Sequence, residues 1–327
     1  MDNLTHTATG LFLSRAGLGR GAPHGVWILV LAANAPDADV ISGLWGSLAY
    51  LKYHRHLTHA LLGIPLMAVL PVLVVALVAR RRLPWLRAYT VSLIGVASHP
   101  ALDLTNVYGV RLLLPFSAEW YRLDSTYIVD LWIWAAFLLA LSAPFLARLV
   151  GAEIGAQRGA AARNWALFAL AFLALYNGAR VVLHARAVAT LEARLFAGHP
   201  PDRVGAFPGA LNPLAWRGVA ETAEFVSLHE LNLLNAFDPD RGRLVYKPQP
   251  SPALQAARRT AEFQVFLEFS QLPLWRVEER QVQAVDLRFG FPWQPAFRAT
   301  ARLDERGRVE RAWVEFRGGR GTSSGRE

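Results

Sequence analysis

The chain of 327 residues contains no cysteine. That excludes disulfides, thiolate metal sites and a cysteine nucleophile. Lysine is nearly absent too: Lys52 and Lys247 are the only two. The net charge of +9 is therefore carried by arginine. Charged residues make up only 18% of the chain, against 53% hydrophobic. An ordinary soluble domain carries about 25% charge, and the deficit points to a membrane protein. No GxSxG, P-loop or HExxH stretch occurs, which leaves serine hydrolases, P-loop nucleotidases and zincins without support. A basic protein can bind nucleic acid, but here the arginines gather at the ends of apolar runs, so no nucleic-acid partner is expected. The start, with Asp2 and His6, lacks the basic stretch of a secretory leader. Insertion is expected through uncleaved spans.

What the chain does contain is long apolar runs. Residues 60–79 form twenty uncharged positions, enough to cross a hydrocarbon core of about 30 Å, and Arg80, Arg81 and Arg82 follow at once. Residues 125–147, interrupted by Asp130, and 165–183, with Arg180 near the end, are two more runs. Residues 88–102 are shorter and uncharged, and residues 21–36 are apolar but short for a crossing. These runs predict a mainly α protein, a polytopic membrane helical bundle of about 4–6 membrane segments. Arginines in the loops 80–87 and 148–163 place both loops in the cytoplasm. His6, Asp37, Asp39, His54, His59, His99, Asp103 and Asp130 then fall together at the outer, periplasmic ends of the segments.

After about residue 186 the character changes. We expect a helical domain over 1–186, a Gly/Pro-rich linker over 187–216, a small β-rich extramembrane domain over 217–317 and a disordered tail over 318–327. Strand-like runs are 243–247, 262–269, 282–289, 297–303 and 308–316. Asp304-Glu305-Arg306-Gly307 between the last two reads as a hairpin turn.

Four short pieces carry chemistry: His6; Pro36-Asp37-Ala38-Asp39; His54-Arg55-His56-Leu57-Thr58-His59; and His99-Pro-Ala-Leu-Asp103. His99 and Asp103 are four apart and share one face of a helix. Imidazole with carboxylate suits zinc first, then manganese or iron. An ionisable pair in an apolar segment is costly unless paired or metal-bound. Asp37 and Asp39 can ligate a metal or orient a ligating histidine. Arg55 is a poor ligand, because it stays charged, but it can hold an anionic substrate group or a carboxylate. Thr58 stands ready to support a ligand. Asp130 reads as a distal ligand or a supporting acceptor. Arg111 and Arg122 either bind phosphate or reach for the interface, and the second reading is preferred. His56 is read as facing solvent. His24, His184, His199 and His229 read as structural.

An N-terminal His, PDxD, HRxxTH and HxxxD, in this order among apolar spans, resemble the YdjM family of membrane-bound metal-dependent hydrolases. The stretch Val107-Tyr-Gly-Val-Arg-Leu-Leu-Leu-Pro-Phe-Ser117 is similar to the segment after HxxxD in that family. The likeness covers roughly residues 1–150. It departs at His56, where the family usually has glycine, and at Ala60, where it often has serine. The resemblance implies a helical metal site on the inner membrane with His6, Asp37, Asp39, His54, His59, His99 and Asp103 at matching positions. On this reading Asp37, Asp39, Arg55 and Asp130 are the candidates for catalysis, and a phosphoester or lipid-like compound is the expected substrate, with membrane lipid as partner. The competing expectations are a non-catalytic membrane protein, with a structural His/Asp cluster and a partner-binding β domain, and a metal transporter, against which the uncharged run 60–79 argues.

Overall fold

The computed structural model describes residues 1–153 and 161–316. About half the chain is helical, and two antiparallel sheets follow in the C-terminal part. The chain divides into two compact units. The first holds 1–39, 55–183 and 208–213, and the second holds 40–54, 184–207 and the residues from 214 on.

In the first unit, α1 (Asn3–Ala16) starts under Asp2, whose side chain accepts from the amides of Leu4 and Thr5. Such a cap satisfies amides that the first turn leaves open. α2 (Gly25–Ala32) packs on α1 and on α6 (Trp85–Asp103). Gly10 makes the α1–α2 approach possible: a Cβ there would sit 2.6 Å from the Leu29 carbonyl oxygen. Small residues at such crossings are the usual device of membrane bundles.

The run 60–79 is helical from Gly63 to Ala79, with its hydrogen-bond ladder interrupted at Ala68 between α4 (Gly63–Met67) and α5 (Val69–Ala79). Pro71 explains the break, because it has no N–H to offer the Met67 carbonyl four residues back. The run 125–147 begins its helix, α7 (Leu131–Glu153), only after Asp130, which caps it by accepting from Trp132 N at 3.0 Å and Ile133 N at 3.3 Å. α8 (Ala161–Glu192) is longer at both ends than the run 165–183. It buries Arg180, whose Nε donates to Ser125 O at 2.7 Å. Among the described residues, α8 alone is long and apolar enough to cross a membrane as one helix, and up to three spans result if each of two bent helix pairs counts as one. A cluster of Phe12, Leu102, Ile133, Phe137 and Leu173 ties α1, α6, α7 and α8 together.

The second unit includes α3 (Ser47–Tyr53) and two sheets. The first sheet runs β1 (Arg203–Pro208), β2 (Ala215–Glu221), β3 (Phe225–Asn232), β4 (Arg243–Tyr246), and the second runs β5 (Pro273–Glu278), β6 (Gln281–Asp286), β7 (Phe297–Leu303), β8 (Val309–Phe316), each in sequence order. The stretch 187–216, expected as a linker, holds the end of α8, all of β1 and the start of β2, and it buries Ala206 and Phe207. α9 (Pro252–Arg258) precedes α10 (Ala261–Phe269).

α10 corrects the strand expected over 262–269. Thr260 caps it, and Phe263, Phe266 and Phe269 are all buried. Aromatic residues every third position fit a helix face, not the alternation of a strand. The β7–β8 turn matches expectation: Asp304 N donates to Arg308 O at 2.9 Å, and Gly307 takes a φ of 73° that favours glycine. The tail 318–327 and Arg158 lie outside the described residues.

Candidate metal centre

Four segments deliver the chemistry-bearing side chains of the first unit. One turn of α6 sets His99 and Asp103 on the same face. A short 3-10 turn, Leu57–His59, ends on His59. A 3-10 stretch, Ala35–Trp45, begins with Asp37 and Asp39. The buried face of α1 adds His6. His59, His99 and Asp103 are fully buried, and Asp37 is 9% exposed.

Asp37, His59, His99 and Asp103 each offer one ligand atom, and these atoms lie within 4.8 Å of one another. His59 Nε2 is 3.1 Å from His99 Nε2. From Asp37 Oδ1, both His59 Nε2 and His99 Nε2 lie at 3.4 Å. From Asp103 Oδ2, they lie at 3.5 Å and 3.3 Å.

The outer nitrogens settle the tautomers. His99 Nδ1 is 2.6 Å from Ala33 O, so it carries the proton. The Thr58 hydroxyl donates to Asp39 Oδ2 at 2.7 Å, so its oxygen is left to accept from His59 Nδ1 at 3.0 Å. Asp39 Oδ2 also stands 3.3 Å from the same nitrogen. Protonation at both Nδ1 atoms leaves two Nε2 lone pairs facing each other and two carboxylate oxygens. Among the described residues, Asp37 Oδ1 and Asp103 Oδ2 are buried with no hydrogen-bond partner. Four acceptors in one buried space repel unless a cation lies between them.

The donor set fits a divalent cation by dimension as well as by type. Ligands in a tetrahedral shell at about 2.0–2.1 Å stand about 3.3–3.4 Å apart. Neighbours in an octahedral shell at about 2.1 Å stand about 3.0 Å apart. Four of the five distances, 3.1–3.4 Å, fall in this range, and the fifth, 3.5 Å, lies just beyond it. Two imidazoles and two carboxylates suit several divalent metals, so the set could hold a metal ion without choosing which.

The surrounding shell is built from the same motifs. Arg55 sits in the left-handed region with a φ of 57°. Its backbone N donates to Asp39 Oδ2 at 2.9 Å, and its Nη2 donates to Asp103 Oδ1 at 2.8 Å. Of the two roles expected for Arg55, it takes that of holding a carboxylate. Its guanidinium also lies 4.5 Å from the Tyr108 ring centre and donates to Gly109 O at 3.1 Å. Asn106 Nδ2 adds a bond to Asp103 Oδ1 at 3.3 Å, and Asn106 Oδ1 accepts from Tyr108 N. The α-amino group of Met1 also lies against Asp103. His6 stacks on His99 with ring centres 3.7 Å apart, and its Nε2 is 3.4 Å from Asp103 Oδ1. Among the described residues, neither His6 nitrogen has a hydrogen-bond partner.

The structure thus brings together Asp37, His59, His99 and Asp103, with His6, Asp39, Arg55 and Thr58 around them. His54 is the last residue of its segment of the second unit, where it ends α3 and stacks on Tyr50 at 4.6 Å. Asp130 takes another place than expected. It caps α7 and accepts from Tyr176 Oη at 3.2 Å, and it is not among the described donors that converge. Arg111 lies 4.7 Å from the Trp120 ring centre, and Arg122 pairs with Asp124. His56 is half-buried. Sequence reasoning missed Asn106, Tyr108 and the Ala33 carbonyl. Asn106 stands three residues after Asp103, and that spacing was its one signal. The carbonyl has none, because every residue carries one.

Residues 1–187 match the model of a family described as YdjM inner membrane protein. The matched stretch contains every residue of the His/Asp set and ends before the sheets begin. A protein of Bacillus subtilis (strain 168), "Uncharacterized protein YfhP", is 27% identical over 150 residues. That match takes in 43% of this chain and spans 46%, under half, of the relative's length. No solved structure matches the chain.

Proposed function

Because the chain belongs to the YdjM family of inner membrane proteins, we propose that it is a membrane-bound, metal-dependent hydrolase of an ester, with zinc the first candidate ion. The observation that carries this reading is the convergence of two imidazole lone pairs and two unpartnered carboxylate oxygens at 3.1–3.5 Å. Asp37, His59, His99 and Asp103 would hold the ion, with His6 in reserve. A divalent cation in that set supplies Lewis acidity, which acidifies water and polarises a scissile bond.

The chain's own residues divide the remaining work. Asp39 and Thr58 hold His59 Nδ1, and Ala33 O holds His99 Nδ1, so both rings present the same nitrogen inward. Arg55 neutralises Asp103 and blocks its second oxygen. Asp39 is engaged by three donors. Asp37 is the most exposed of the four set members, and its second oxygen, Oδ2, which is not the one that faces the two imidazoles, remains to take a proton from water. Water's oxygen joins the acyl or phosphoryl centre, the ester bond to the alcohol breaks, and the alcohol leaves with the proton.

The test is metal content by mass spectrometry on detergent-purified protein, beside hydrolysis of phosphoesters and lipids. Stoichiometric metal in the wild type, absent from a folded His59→Ala/His99→Ala variant together with its activity, supports the reading. No metal in either sinks it. The second reading is a structural metal site, favoured by the full burial of His59, His99 and Asp103. It predicts bound metal without hydrolysis, and a variant that loses stability only.

A further inference from the structure

His59 is flanked by apolar side chains that face outward. Leu57 and Leu61, two positions to either side, are 49% and 52% exposed, and Leu62 is 59% exposed. Leu61 N donates to Leu112 O at 2.9 Å, which joins this stretch to a loop where Leu113 and Phe116 are 42% and 84% exposed. Single exposed leucines are ordinary on a soluble surface, whereas a gathered apolar patch marks a binding or membrane surface. This rim continues into α4 and α5, where Leu66, Leu73 and Leu77 are exposed and no charge occurs between residues 60 and 79. In an inner membrane protein such a helix face meets lipid.

We propose that the rim lies in the bilayer and that the substrate is a membrane amphiphile, a lipid phosphoester, whose acyl chains rest on Leu57, Leu61, Leu62, Leu113 and Phe116 while its ester reaches the His/Asp set. This rests on the hydrolase reading and adds the route by which substrate arrives. The reaction is the same hydrolysis: water is consumed, the P–O bond to the lipid alcohol breaks, and that alcohol leaves protonated. A water-soluble ester has no use for five outward apolar side chains beside a buried donor set.

The absence of cysteine makes single-cysteine spin labelling direct. Leu61→Cys and Phe116→Cys, each nitroxide-labelled in phosphatidylcholine/phosphatidylglycerol nanodiscs, are compared with Leu73→Cys as the lipid reference and Glu305→Cys as the water reference. The proposal expects the ratio of oxygen to nickel-chelate collisions at both rim positions to match Leu73→Cys and to exceed Glu305→Cys several-fold. Ratios like that of Glu305→Cys overturn it. So does shielding from both reagents, which would mean a second copy or a partner protein covers the rim. A second arm uses native mass spectrometry of the wild type with phosphatidic acid and with glycerol phosphate, the same headgroup without acyl chains. Preferential retention of phosphatidic acid, lost in Leu61→Ser/Phe116→Ser, supports the proposal. Equal retention of the two, or of neither, overturns it. Metal content measured on the same wild-type samples separates the two levels. Bound metal with a wet rim sinks this inference alone, and absent metal sinks the hydrolase reading beneath it.

Discussion

Asp39 stands beside His59 of the donor set, and three groups converge on its Oδ2: the Arg55 amide, the Thr58 hydroxyl and the His59 ring. A residue in that position orients a ligand and raises its basicity. Asp39→Asn is therefore expected to weaken metal affinity by about 10–100-fold while leaving the stoichiometry unchanged. Chelator competition would show it, and an unaltered affinity would reassign Asp39 to a purely structural role. In β3 of the second unit, burial holds the His229 imidazole down to about 4, and its Nε2 lies 2.7 Å from the Ser227 hydroxyl. The folded chain then keeps His229 neutral where the unfolded chain, with an ordinary value of about 6.5, takes up a proton. The stability this contributes is complete above about pH 6.5 and is lost as the pH falls toward 4. A carbon-13 titration of the histidine rings should find His229 neutral at pH 5.5, and a midpoint near 6.5 would contradict it.

At the scale of the element, close helix crossings and aromatic faces decide what the chain tolerates. Gly10 allows α1 to approach α2, since a side chain there would meet the Leu29 backbone at 2.6 Å. Gly10→Val is expected to destabilise by about 1–3 kcal/mol, the ordinary cost of overpacking. Gly178 in α8 has nothing within 4 Å of its would-be Cβ. Gly178→Ala should therefore be neutral or stabilise by up to about 1 kcal/mol through helix propensity. Thermal unfolding in detergent compares the two, and equal effects would mean that the α1–α2 approach is looser than its geometry. α10 offers a third case. Phe266 is fully buried, and Phe266→Ala is expected to cost about 3–5 kcal/mol.

For the whole molecule, the arginines of loop 80–87 lead us to expect that loop in the cytoplasm. On that expectation α6 would carry His99 and Asp103 toward the periplasmic side, and the chain past α8 would emerge there as well. Alkaline phosphatase fused after residue 316 is expected to be active, and the same enzyme inserted in loop 80–87 inactive. The reverse pattern would invert the topology and put the donor set at the cytoplasmic face.

Much of the candidate centre was legible without a structure, because its residues come in short motifs whose spacing matches a helix turn or a tight bend. His99 and Asp103 share a face by periodicity alone, and HRxxTH already contains the ligand, its supporting threonine and the arginine that pairs with Asp103. Hydropathy likewise marked the apolar runs, and alternation marked β7 and β8. The rest depended on partners remote in sequence. Nothing local to Asp130 says that it caps a helix instead of joining the donor set. Nothing local to His99 announces the Ala33 carbonyl that fixes its tautomer. The break at Ala68 follows from where Pro71 falls relative to a carbonyl four residues earlier, and the helix α10 follows from three phenylalanines finding one buried face. The amino-acid sequence by itself determined which donors exist and which of them lie one turn apart. Only the tertiary structure decided which donors meet, because donor separations of 3.1–3.5 Å arise from packing α6 against α1, α2 and α4, on which the His59 turn rests, and not from any property of the motifs alone.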